Sequence, residues 1–368
     1  MMRRTIVAAV LGGAAVLMSC GLCYASLLDQ VLGFVPQDIS EAMVLFTNWS
    51  HIKGHLGLEE LSSESPIDLR LDLMQHVGQD QTAASAYGLS HFRGHAEEWG
   101  WDTADLDWEA NIISRDLPPT YILKFRDGFD FTPLFERFLE RGFIQTESHG
   151  ATIFSHKLDV RADWARTTEL SIHTTAYLAE EDMLILSSFG VEAFLTVAAG
   201  ELESLSEDAF ARAAVAHLGD PYSAILLLGT GECLRFTPNP ILDLIGTIPK
   251  EERVAELKAM VEEKNLLVPY RALGVAYRYE ETHPVGTIVF EYDVPEFAEM
   301  DLPARCVLAE KGMSTYFDAP IPESYFTVLD CGVQDSALLM AVAPINDQPS
   351  RLFRMIYYHD AVFAGCSY

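Results

Sequence analysis

Residues 91–108 read HFRGHAEEWGWDTADLDW: two histidines four apart, two glutamates close behind, then three tryptophans within ten residues. On a helix His91 and His95 would share one face, as zinc ligands often do, and Glu97 and Glu98 would complete a centre for a metal-dependent hydrolase. Gly94, directly before His95, weakens that helix, and no H-E-x-x-H supplies a positioned general base. His51 and His55 repeat the spacing, with Gly54 in the equivalent place.

Trp99, Trp101 and Trp108 offer a second chemistry, stacking on a sugar or a small ligand. The competing reading is that buried tryptophans anchor an acidic connection, and it is the favoured one because large rings rarely stay exposed. Asp102, Asp105, Asp107 and Glu109 resemble a calcium loop only in composition, since their spacing fails the EF-hand order.

Nucleophilic and phosphate chemistry find little support elsewhere. There is no G-x-S-x-G, and GTGEC at 229–233 lacks the spacing and lysine of a phosphate loop. His359-Asp360 and Asp330-Cys331 bring acid, base and thiol types together in sequence only. Asn48-Trp49-Ser50 is a glycosylation sequon.

The charge narrows the partners. Twenty-five Lys+Arg against 54 Asp+Glu give −29 over 368 residues, and without residues 1–25, which hold only Arg3 and Arg4, the balance is −31. Such a surface repels nucleic acid and anionic headgroups, so no nucleic-acid partner is expected. No cofactor signature is present, and none is expected.

The first 25 residues place the protein. Arg3 and Arg4 precede an uncharged stretch from Ile6 to Met18, the pattern of a secretory signal. Three fates remain open: LMSC is similar to a lipobox with Cys20 as the lipidated residue, Ala25-Ser26 is a cleavage site, or the uncharged run from Thr5 to Leu28 stays as an anchor, since roughly 20 residues span a bilayer. An extracytoplasmic location follows from all three, and membrane attachment through the N-terminus from two. Beyond this segment stand Cys233, Cys306, Cys331 and Cys366, four cysteines with three conceivable pairings, or buried free thiols.

The elements that must position these residues grow clearer along the chain. A strand is predicted at 42–46, a helix at 67–77, a strand at 121–125, and a helix at 133–141 capped by Thr132 and buried through Leu134, Phe135, Phe138 and Leu139. Hairpins follow at 143–156 and 169–188, helices at 191–199 and 207–218, the latter capped by Ser206, and a central strand at 222–228. The second half repeats this grammar: helix 250–263, a hairpin turning at Thr282-His283-Pro284, helix 303–311, and strands 325–330, 336–342 and 352–358. The fold class expected is α+β, two related units with antiparallel sheets, at 35–230 and 231–368.

HGATIFS, the strand pair in AYLAEEDMLILSS, and the helices of VEAFLTVAAGELESLSEDAFARAAVAHL ahead of an apolar strand resemble a large bacterial family of secreted or membrane-anchored proteins of unknown function. The likeness covers residues 35–230. It implies a cell-envelope location and supplies no catalytic residues. Together these features lead to a non-enzymatic envelope protein, tethered at its N-terminus, with a structural role or an unknown protein or ligand partner. The metal-dependent hydrolase and the tryptophan-based glycan or ligand binder stand as alternatives.

Overall fold

The computed structural model describes residues 26–39, 41–77, 96, 99–156, 173–188, 190–229, 269–314, 316–358 and 360–365. The protein is an α+β fold built on one twelve-stranded antiparallel sheet. Its strands are β1 Glu41–Asn48, β2 Leu106–Ser114, β3 Thr120–Phe125, β4 Ile144–Ser148, β5 Ala151–Ser155, β6 Thr174–Leu178, β7 Met183–Ser187, β8 Ser223–Gly229, β9 Ala272–Glu280, β10 His283–Glu291, β13 Phe326–Gln334 and β14 Ala337–Pro344. A separate two-stranded ladder joins β11 Met313–Ser314 to β12 Ala319–Pro320. The helices are α1 Leu27–Leu32, α2 Trp49–Leu56, α3 Ile67–Val77, α4 Thr132–Glu140, α5 Glu192–Ala198, α6 Ala209–Leu218, α7 Pro295–Lys311, α8 Ile321–Ser324 and α9 Ser350–Tyr357.

From the centre outward the sheet runs β1-β2-β3-β7-β6 one way and β8-β9-β10-β14-β13 the other, and the first arm continues through β5 and β4. Each arm sends a helix out after its third strand, α4 after β3 and α7 after β10. β1 and β8 pair antiparallel from Glu41–Gly229 to Thr47–Ser223, so the two arms share one sheet. In strand order the second arm opens at Ser223.

Alternation along each strand sends side chains to two faces. On the first face α1, α5 and α6 cover a core that includes Val44, Phe46, Trp108, Ile122, Ile185, Leu226 and Val289. The second face carries two cores side by side. Helices α2, α3 and α4 pack with Leu123, Phe125, Phe154 and Leu186, and α7, α8 and α9 with Val275, Ile288, Phe290 and Met340.

Several expectations need correcting. The segment 352–358 is not a strand: Leu352, Phe353, Met355 and Ile356 are buried with helical spacing, and the chain forms α9. Helix α7 starts at Pro295 and runs through Pro303, eight residues ahead of the predicted start, because a proline costs one backbone bond that packing on β13 offsets. Asp107 and Glu109, whose spacing fails a calcium loop, lie in strand β2. Leu139 on α4 is 50% exposed, outside the stripe made by Leu134 and Phe138.

Turn and cap assignments also shift. The α6 cap is Asp208, whose carboxylate accepts from the Phe210 and Ala211 amides at 3.0 and 2.8 Å, in place of Ser206. Thr132 lies within α4, its amide held by Asp130 Oδ1 at 2.9 Å. The β9–β10 hairpin turns at Glu281-Thr282, leaving His283 and Pro284 in the strand. His149 and Gly150 turn the β4–β5 hairpin with φ of 48° and 77°, the pair of left-handed conformations that a tight two-residue turn demands. The predicted helix at 250–263 lies outside the described residues.

Candidate functional site

The tryptophans are core residues. Trp99, Trp101 and Trp108 are 1%, 3% and 4% exposed. Trp99 sits 5.7 Å from the Phe138 ring, with the Arg141 guanidinium 4.0 Å over its own ring. Trp101 meets Phe125 edge-on at 5.4 Å. Trp108 faces Phe46 at 6.5 Å in the core on the other side of the sheet. The three rings are divided between two faces and covered by protein.

The acids between them are wired inward. Asp102 caps the single helical turn Thr103–Asp105, accepting from the Ala104 amide at 2.9 Å, and binds Arg70 through its other oxygen. Burial pushes the Asp102 carboxyl up, while the Ala104 amide and Arg70 pull it down. Asp105 accepts from the Ser63 amide at 3.1 Å and pairs with Arg126 at 3.3 Å. Asp107 takes the Ser50 hydroxyl at 2.9 Å. Lys53 is 3% exposed and donates to the Ala104 carbonyl at 3.0 Å; burial lowers its pKa, and Asp107 and Asp105 work against that.

His91, His95, Glu97 and Glu98 lie outside the described residues, as do Cys20, Cys233 and Cys366. Among the described residues no three His, Cys, Asp or Glu side chains are gathered to hold a metal ion. The other histidine pair does form on a helix, α2, despite Gly54, because Asn48 caps it and Gly57 closes it in the left-handed conformation at φ 69°. His51 pairs with Asp220 at 3.3 Å and packs on Tyr222, and His55 stacks on Tyr279 at 4.2 Å. The pair links α2 to the junction of the two arms.

Cys306 on α7 is disulfide-bonded to Cys331 on β13. The thiol suggested by Asp330-Cys331 is therefore not free. Asp360 is fully buried and its Oδ2 receives the Ser314 and Tyr325 hydroxyls at 2.5 Å each and the Tyr316 amide at 3.3 Å. Burial, and then the Asp360 charge, push the Tyr325 hydroxyl far above its ordinary pKa. Arg305 is equally buried, bonded to Asp301, to the Tyr292 hydroxyl and to the carbonyls of Phe363 and Gly365. Both clusters fasten residues 360–365 to the second arm. Asn48, the sequon asparagine, is buried with its side chain capping α2, so it offers no glycosylation site in the folded chain.

A group that sequence reasoning missed lies at the centre of the second face. Cross-strand register puts Ser223 beside Thr47 and Thr47 beside Glu109. One row along the same face, Asn111 stands between Leu45 and Tyr121. Ser223, Thr47, Glu109 and Asn111 are all buried, and among the described residues Ser223 Oγ and Asn111 Oδ1 have no hydrogen-bond partner. Burial, followed by the Glu109 charge, raises the Tyr121 hydroxyl. The signal was present: in Leu106-Asp-Trp-Glu-Ala-Asn-Ile112 polar and apolar residues alternate, the mark of a strand with one polar face. Such a patch also fixes register, since a one-residue slip would turn Glu109 and Asn111 into the apolar core of the first face.

The described polar clusters thus join α2, β2 and β3 in the first arm and α7, β13 and the C-terminal segment in the second. No family model, curated protein or solved structure compared with this chain matches it.

Proposed function

We propose that this protein works outside the cytoplasm, held to the membrane by its N-terminal segment, as a non-enzymatic structural or partner-binding protein. The observation that carries the reading is the Cys306–Cys331 disulfide, a bond that forms and persists in oxidising compartments and is rare in the cytosol.

The start of the fold supports the tether. Ser26 caps α1 by accepting from the Asp29 amide at 3.1 Å, and Leu28, Val31 and Leu32 are fully buried. Leu28 therefore serves the core, and Thr5 to Ala25 remains for a signal or anchor, still about the length that spans a bilayer. Among the described residues, which begin at Ser26, no helix is long and apolar enough to cross a membrane. The described buried charges have structural employment: Asp102, Asp105, Asp360 and Arg305 each hold neighbouring segments together. A balance of −31 beyond residue 25 suits a partner with a basic surface.

Fractionation of cells expressing the full chain tests the proposal. The protein should sit in the membrane fraction and be cut by protease added from the non-cytoplasmic side, with Cys20→Ser abolishing lipid labelling if the lipobox is used. Recovery in the cytosol, protected from that protease, would overturn it.

A further inference from the structure

Glu291 ends β10 with its side chain on the first face, paired in register with Ala272 of β9 and Ala337 of β14. The residue is fully buried. Opposite it stands His217 in the last turn of α6, 15% exposed, with Nε2 3.6 Å from Glu291 Oε1. Among the described residues that oxygen has no hydrogen-bond partner, and Oε2 receives the Ser336 hydroxyl at 3.4 Å.

The remaining charges around this point do not neutralise a carboxylate. Asp335, in the β13–β14 turn, adds a further negative charge. Arg271 gives its amide to the Glu291 carbonyl, but its guanidinium is turned to Asp293 at 2.9 Å and over the Phe210 ring. Among the described residues, a protonated His217 is the cation placed to pair with Glu291.

A carboxyl buried in this way must be neutral or paired. We propose that Glu291 and His217 hold a single proton between them, making the docking of the α6 C-terminal end onto β10 and the β13–β14 turn responsive to pH near neutrality. Burial, with Asp335 acting in the same direction and Ser336 against it, pushes Glu291 up to about 7, and burial lowers His217. The inference does not depend on the compartment in which the protein works.

The two groups act with opposite sign. Glu291 binds its proton more tightly in the fold than in the unfolded chain, so its contribution is present below its ordinary value of 4.5 and lost as pH rises to about 7. His217 binds its proton less tightly in the fold, so stability falls as pH drops below the ordinary histidine value of 6.5. The intact pair gives a flatter profile than either group alone.

Urea unfolding of the full chain between pH 4.5 and 8 tests this, using Glu291→Gln, His217→Gln and the double variant. Relative to the unsubstituted protein, Glu291→Gln should gain up to about a hundredfold in the folding constant between those limits. His217→Gln should lose stability more steeply with rising pH. An infrared band of a protonated carboxyl group, lost across pH 7 and missing from Glu291→Gln, identifies the proton directly. Parallel pH profiles for the unsubstituted protein and Glu291→Gln would overturn the inference.

Discussion

The Lys53 ammonium lies 3.0 Å from the carbonyl of Ala104, a residue 51 positions further along the chain, and is almost wholly removed from water. One bond thus joins α2 to the turn between Trp101 and Trp108, with Asp105 and Asp107 close enough to offset part of the cost of burying the charge. Lys53→Ala removes both the bond and the packed stem and is expected to cost about 2–4 kcal/mol. Lys53→Met keeps the stem and should cost less. Urea unfolding of the two variants measures the difference, and equal losses would place the contribution in the hydrogen bond alone.

The tryptophans should behave as anchors. Trp99→Ala removes a ring held between Phe138 and Arg141 and is expected to cost about 3–5 kcal/mol. Titration of the intact protein with oligosaccharides should leave tryptophan fluorescence unchanged. A stable Trp99→Ala variant that loses a saturable sugar response would restore the binding platform.

Asp208 and Ser206 make a local comparison. Asp208→Ala removes two bonds to the α6 N-terminus and is expected to cost about 1 kcal/mol. Ser206 bonds the Ser204 hydroxyl at 2.6 Å and caps nothing, so Ser206→Ala should lie within about half a kcal/mol of the unsubstituted protein. Thermal unfolding distinguishes them, and the reverse order would return the cap to Ser206.

Much of the chain was legible because its elements carry local signals. Helix α3 falls at 67–77 as read, and the β4–β5 and β6–β7 hairpins show the alternation and turn residues that define them. What misled was ambiguity of period. RLFRMIYY reads as a strand by its β-branched and aromatic content, yet its burial repeats every three to four residues. In β2 the reverse occurred: acidic residues in LDWEANIIS obscured a strand whose Glu109 and Asn111 lie on a buried face. The central polar patch was invisible for a further reason, since Ser223, Thr47 and Glu109 are brought together only by the pairing of β8, β1 and β2.

The disulfide should also be felt in stability. Cys306 and Cys331 enclose a 25-residue separation, for which loop closure gives about 3 kcal/mol. Cys331→Ala, or reduction of the unsubstituted protein, should lower the urea midpoint by equivalent amounts. A loss on substitution without a loss on reduction would assign the effect to packing of the half-buried side chain.

The central claim is that the protein matures outside the cytoplasm, and the redox state of this pair in living cells tests it most directly. Cells expressing the full chain are quenched in acid, alkylated with and without prior reduction, and analysed by mass spectrometry of the peptides bearing Cys306 and Cys331. The account predicts that both cysteines are alkylated only after reduction and are recovered as one linked peptide pair. Full alkylation of both without reductant would contradict it, showing a chain that folds with free thiols in a reducing compartment.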